Sequence, residues 1–121
     1  MHNFRQLNVW HRALFVTESL YKATNTFPES ERFGLITQMR RSAVSVASNI
    51  AEGSSRSTNK DFRRFLAIAR GSASELETQV ILAHRLGMMS EDEANQLSSR
   101  IDEVRAMLIG FSASLESPNK T

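Results

Sequence analysis

The sequence predicts an all-α protein, an antiparallel up-down-up-down four-helix bundle, and three observations carry that expectation. Apolar residues recur at steps of three and four in four separate stretches, the spacing that lines one face of a helix. Short polar or glycine- and proline-bearing turns separate the stretches, so each helix returns antiparallel to the one before. No stretch carries a strand signal.

The first helix is expected over about residues 8–25. Val9, Ala13, Val16, Leu20 and Ala23 form its stripe, and Thr26-Phe27-Pro28 ends it, because proline lacks an amide hydrogen and disfavours helix in the residue before it. Phe4 and Leu7 precede it and are expected to fold over one end of the bundle. The second helix is expected over about residues 30–52. It starts near Pro28 to Glu31, carries Gly34 early, and closes on Gly53 as a left-handed cap. Its inner stripe is Ile36, Met39, Ala43, Val46 and Ile50, and small neighbours (Ser45, Ala47, Ser48, Ala51) let other helices approach.

Thr58-Asn59-Lys60-Asp61 resembles a capping box and opens a third helix over about residues 59–86. Phe62, Leu66, Ala69, Ala73, Leu76, Val80 and Ala83 form its stripe, and Gly87 closes it. Gly71, in its interior, costs about 1 kcal/mol relative to alanine and is expected to mark a close backbone approach. Ser90-Glu91-Asp92-Glu93 caps a fourth helix over about residues 91–116, with Ala94, Leu97, Ile101, Val104, Leu108, Phe111 and Leu115 inward. Ser117 to Thr121 read as a frayed tail.

At 121 residues the chain fits a single domain spanning 1–121, large enough to bury a core without staples. It has no cysteine, which excludes disulfides, thiolate metal sites and cysteine nucleophiles and suits a reducing cytoplasm. Neither a signal peptide nor a membrane-length apolar run is visible. The net charge of +2 is unevenly spread. Residues 40–70 carry seven cations against two acids, a local +5, whereas residues 86–121 sum to −3. Such asymmetry suits an anionic partner and equally suits a solvated helical surface.

Catalytic and metal motifs are missing from the sequence. A di-iron bundle needs Glu-x-x-His pairs, but Asn8 and Ile81 stand three residues before His11 and His84. Neither a phosphate-binding glycine loop nor a Gly-x-Ser-x-Gly elbow occurs. No enzyme activity, cofactor or metal is therefore expected.

A family resemblance lies in helices two and three. Phe27-Pro28, Phe33-Gly34-Leu35, Gln38-Met39-Arg40-Arg41-Ser42-Ala43-Val44-Ser45, Ser48-Asn49-Ile50-Ala51-Glu52-Gly53 and Gly71-Ser72-Ala73-Ser74-Glu75-Leu76-Glu77 carry it, with Leu7-Asn8-Val9-Trp10 and Leu86-Gly87 fitting too. From about Phe4 to Leu115 the chain resembles the four-helix-bundle proteins encoded in intervening sequences of bacterial 23S ribosomal RNA genes. Met88-Met89 departs from the pattern, which has an aromatic near that turn. The resemblance implies a ring-like homopentamer. It also implies kinship with the accessory protein of diversity-generating retroelements, a basic bundle that works beside a reverse transcriptase and contacts nucleic acid. It implies no enzyme.

Arg41, Arg56, Lys60, Arg63, Arg64 and Arg70 are the candidate contacts to RNA or DNA. On a helical wheel the four cations of helix three avoid the core stripe, which suits phosphate contact indifferent to base sequence. Phe62 lies on the core stripe and Phe65 beside it, so base stacking is not indicated. Arg40 sits near the edge of its stripe and is expected to pair with Glu75 or Glu77 on helix three. Asn49 and Glu52 are candidates to cap or cross-link the same helices. Trp10, Leu14, Tyr21, Phe65, Ile68 and Leu82 lie off the core stripes and are candidate interface residues of an oligomer. Two functional classes follow: a nucleic-acid-binding accessory protein, or a protein-protein interaction scaffold without nucleic-acid affinity.

Overall fold

A computed structural model describes residues 2–116, so the expected tail at Ser117 to Thr121 lies outside the described residues. Four α-helices account for most of them: α1 Asn8–Thr24, α2 Leu35–Ser54, α3 Asn59–Arg85 and α4 Glu91–Ser114. Single 3-10 turns at Phe4–Gln6 and Glu29–Glu31 precede α1 and α2. No strand occurs among the described residues. Each helix packs on the next, and α4 closes back onto α1.

Side-chain ties between neighbours show the direction of each helix. Thr17 bonds the Ala43 carbonyl while Arg40 reaches Thr24, so residue numbers rise on α1 as they fall on α2. Ser45 meets Ser72 and Ser42 meets Glu75 across α2 and α3. Arg63 reaches Glu116 and Arg105 reaches Ser74 across α3 and α4. Arg12 reaches Glu103 and Arg100 reaches Ser19 across α1 and α4. All four pairs are antiparallel, which is the up-down-up-down order.

The stripes meet in one core. Leu20, Met39, Ile50, Phe62, Leu66, Leu76, Ile101 and Leu108 are fully buried within it. Burying each such side chain contributes about 1.5–3 kcal/mol relative to leaving it in water. Where Ala13, Ala43 and Ala73 face one another the core leaves a gap of about 10 Å³, room for no more than a water.

Helix ends follow local chemistry. The Thr58 hydroxyl accepts from the Asp61 amide at 3.1 Å and Ser90 accepts from Glu93 at 3.1 Å. Asp61 does not return the bond; its carboxylate is taken by Arg64. Gly87 adopts φ +79°, the left-handed geometry expected of it. At the other end of the bundle the His2 amide donates to the Ser54 carbonyl at 3.0 Å, and the His2 ring packs on Phe62 and Phe111. Phe4 lies edge-on to Trp10, so the first turn does fold over that end.

Three glycines correct the sequence reading. Gly34 is not inside α2: its backbone (φ −112°, ψ −107°) is outside the helical region and separates the turn at Glu29–Glu31 from α2. Gly53 is no left-handed cap, since among the described residues only Gly87 has positive φ, and α2 continues to Ser54. Gly53 is instead the close approach: a Cβ there would sit 2.7 Å from Phe62 Cδ1 and 2.8 Å from Phe65 Cβ. Gly71 has nothing within 4 Å of such a Cβ, so the closeness expected there is absent.

These environments set opposite outcomes for the same substitution. Gly71→Ala should raise stability by about 0.5–1 kcal/mol, because helix propensity improves and nothing is displaced. Gly53→Ala should lower it by about 1–3 kcal/mol, because crowding a packed interface outweighs that gain. Urea denaturation of both variants checks the sign; a stabilised Gly53→Ala would contradict the close approach.

Candidate nucleic-acid interface

The six candidate cations of the +5 segment divide by environment. Three are already engaged. Arg56 bonds Glu52 one turn before it at 2.6 Å, and its Nε is buried without a hydrogen-bond partner. Arg64 bonds Asp61 at 2.9 Å. Arg63 turns toward α4, where it meets Glu116 at 3.0 Å and the Ser112 hydroxyl at 3.4 Å. Each such exposed pair stabilises by no more than about 1 kcal/mol, so a phosphate can still compete for the arginine. The carboxylates nevertheless lower the local potential.

Arg56 and Arg64 share a further contact. Both guanidinium carbons lie 4.6 Å from the centre of the Phe65 ring. The aromatic side chain is half-buried, and the ring surface a nucleobase needs is occupied by protein.

The other three cations are free. Lys60 and Arg70 on α3 and Arg41 on α2 are exposed and form no ion pair among the described residues. Lys60 stands in the first turn of α3 near the engaged arginines, whereas Arg70 lies between two and three turns further along. The six candidates therefore do not form one continuous basic surface. Only the Arg56, Lys60, Arg63 and Arg64 group is gathered at one end.

Arg40 corrects the sequence reading most plainly. It pairs with neither Glu75 nor Glu77. Its Nε donates to the Thr24 hydroxyl at 3.0 Å, and its terminal nitrogen reaches the Tyr21 carbonyl at 3.3 Å and Asn25 Oδ1 at 3.2 Å. Its guanidinium also stacks 4.3 Å from the Tyr21 ring centre. The reason is geometric: Arg40 leaves α2 on the side facing α1, where the carbonyl end of a helix attracts a cation. Glu75 instead accepts from Ser42 at 3.3 Å. Glu77 takes Arg105 of α4, which also holds Asp102 and the Ser74 hydroxyl. The hydrogen bond it donates to Glu77 raises the Arg105 pKa further above the physiological range, so this arginine stays charged whenever the protein is folded near neutrality. Nothing in the spacing of α3 alone pointed to Arg105; pairing α3 with α4 at their true register finds it. Asn49 bonds back to Ser45 on its own helix and, among the described residues, links no other helix.

The candidate interface residues also separate. Trp10 and Leu14 pack against the core and Phe65 lies under the two arginines, so all three are half-buried within the protomer. Tyr21, Ile68 and Leu82 are exposed. The largest uncovered apolar side chain is one the sequence reading passed over: Phe33, at 88% exposure in the turn before α2. Among the described residues no cluster of His, Asp or Glu is placed to hold a metal, and no helix is long and apolar enough to cross a membrane.

The profile of the 23S rRNA-intervening sequence protein family matches residues 5–110. A crystal structure of a protein with unknown function, from the S23 ribosomal protein family of Bacteroides thetaiotaomicron, superposes with a TM-score of 0.77 at 24% identity. The match covers 86% of this chain and 97% of that one, and at this identity it establishes the shared fold. No curated protein matches the chain.

The true partners of Arg40 set a mutational test. Arg40→Ala should cost about 1–3 kcal/mol through the loss of its hydrogen bonds to Thr24, Tyr21 and Asn25. Glu75→Gln should stay within about 0.5 kcal/mol of the parent, and the double mutant should be additive. A thermodynamic cycle on Arg105 and Glu77 should instead show coupling of about 1 kcal/mol. Appreciable coupling between Arg40 and Glu75 would restore the rejected pair.

Proposed function

Because the chain belongs to the 23S rRNA-intervening sequence protein family, we propose that it is a non-enzymatic, self-associating bundle of the bacterial cytoplasm that binds RNA or DNA weakly through phosphates. The observation that carries this reading is that three cations of residues 40–70, Arg41, Lys60 and Arg70, are exposed and form no ion pair among the described residues. An isolated protomer contacts few phosphates with so small a set. Association repeats the set and raises the effective concentration of the second and later contacts. The resemblance puts the number of copies at five. The same resemblance makes a protein partner such as a reverse transcriptase a candidate beside the nucleic acid.

A scaffold without nucleic-acid affinity is the second reading, and two observations favour it. Arg56, Arg63 and Arg64 already hold carboxylates. Phe33, Tyr21, Ile68, Leu82 and Leu86 present apolar surface to solvent, which is a common property of protein-binding faces.

Electrophoretic shift and fluorescence anisotropy at low and moderate salt separate the two. Phosphate binding should fall steeply with salt, by a slope of about 0.7–0.9 per phosphate neutralised, and differ little between RNA and DNA backbones. Lys60→Gln with Arg70→Gln should weaken it and shrink that slope by about one per cation, without loss of helicity. Absence of any shift at low salt leaves the scaffold. Light scattering of the same preparation should give a multiple of 13.6 kDa; a particle of that single mass would end the self-association reading.

A further inference from the structure

The groove between α2 and α3 sets Arg41 beside a carboxylate, a charge arrangement that a lone phosphate does not satisfy. Gln38, Arg41, Ser42, Ser45, Glu75 and Gln79 line it, around a space of about 380 Å³. Antiparallel packing sets Arg41 level with Glu75, since the next residue, Ser42, bonds Glu75 Oε1 at 3.3 Å and Ser45 bonds Ser72 at 2.8 Å. Yet Arg41 and Glu75 form no salt bridge with each other. Gln79, in the same wall, has its carbonyl oxygen buried without a donor, so turning it into the groove sacrifices no bond.

A phosphate is a poor occupant here because Glu75 repels it. A neutral group that offers acceptors to Arg41 and donors to Glu75 satisfies both charges at once. Among nucleobases guanine fits best. Its O6 and N7 are adjacent acceptors that a guanidinium bonds in pairs. Its N1–H and N2 amino group are adjacent donors matched to a carboxylate. Adenine and cytosine each offer one donor group, and uracil offers a single N–H flanked by acceptors. In a duplex the N1 and N2 edge is consumed by pairing, so the base must be unpaired.

We propose that this groove takes one unpaired guanine between Arg41 and Glu75, with Gln79 accepting a further ligand hydrogen. The inference rests on the nucleic-acid reading above and adds to it a preference in single strands. Arg41 thereby passes from the phosphate contacts to a base contact, and Lys60 and Arg70 remain phosphate contacts.

The test uses the full chain and labelled single strands of uridine interrupted by isolated guanosines, or by inosine, 7-deazaguanosine or adenosine at the same places. Guanosine strands should bind about tenfold more tightly than adenosine strands. Inosine, which lacks the N2 amino group, and 7-deazaguanosine, which lacks N7, should each lose most of that preference. Glu75→Gln and Arg41→Gln should abolish the preference while circular dichroism stays unchanged. Lys60→Gln and Arg70→Gln should weaken every strand alike and leave the preference in place. Equal binding of all strands would overturn the guanine site and leave phosphate binding standing, with Arg41 and Glu75 separate surface residues. A uniform loss on Arg41→Gln would make Arg41 a phosphate contact and likewise overturn it. No binding to any strand at low salt would remove both.

Discussion

The contact of α2 with α3 is the constraint on which the other features depend. It is close because the facing residues are small or fit together: Gly53 under Phe62 and Phe65, Ser45 against Ser72, Ser42 against Glu75. A side chain at Gly53 would push the helices apart at the end where α2 turns into α3. That spacing holds Phe65 beneath Arg56 and Arg64, levels Arg41 with Glu75, and gives the outer groove its width. The serine bonds between α2 and α3 add little net energy apiece, about 0.5–1.5 kcal/mol. They do select one register, because a shift along the helices would leave those hydroxyls unmatched in a half-buried seam.

Arginine has three different jobs in this bundle, and position decides which. Arg40 closes the carbonyl end of α1 and stacks on Tyr21. Arg105 ties α4 to α3 through Glu77 and, within α4, to Asp102. Arg56 and Arg64 cover Phe65 while holding acids of their own neighbourhood. A guanidinium that has accepted a carboxylate and an aromatic face has less to offer a phosphate. The net charge of the segment therefore overstates what it can offer an anion, and Arg41, Lys60 and Arg70, which form no ion pair among the described residues, are the better measure.

The two ends of the molecule are also unlike. The end bearing the α2–α3 turn gathers Arg56, Lys60, Arg63 and Arg64 and is covered by the residues around His2 and Phe4. The opposite end carries Phe33 and Leu86 in the open, with Glu29, Glu31, Glu91, Asp92 and Glu93 in its turns. A cationic surface and exposed apolar side chains thus lie at different places on one protomer.

The sequence by itself determined the four helices, their order and nearly all of the core, because a stripe at steps of three and four can be satisfied only by burial on one face. It determined the caps at Thr58, Ser90 and Gly87 as well, since those depend on atoms within a single turn. It did not determine which glycine was crowded: Gly53 and Gly71 look alike along the chain, and only the crossing of α3 over α2 separates them. Nor could it choose among carboxylates for Arg40, because a long side chain near the edge of a stripe can reach either neighbouring helix. The tertiary structure sent it to α1, gave Glu77 to Arg105, and placed Arg41 across a groove from Glu75. Partner choice is settled by interhelical register and by which flank faces which neighbour, and neither quantity is periodic in the sequence.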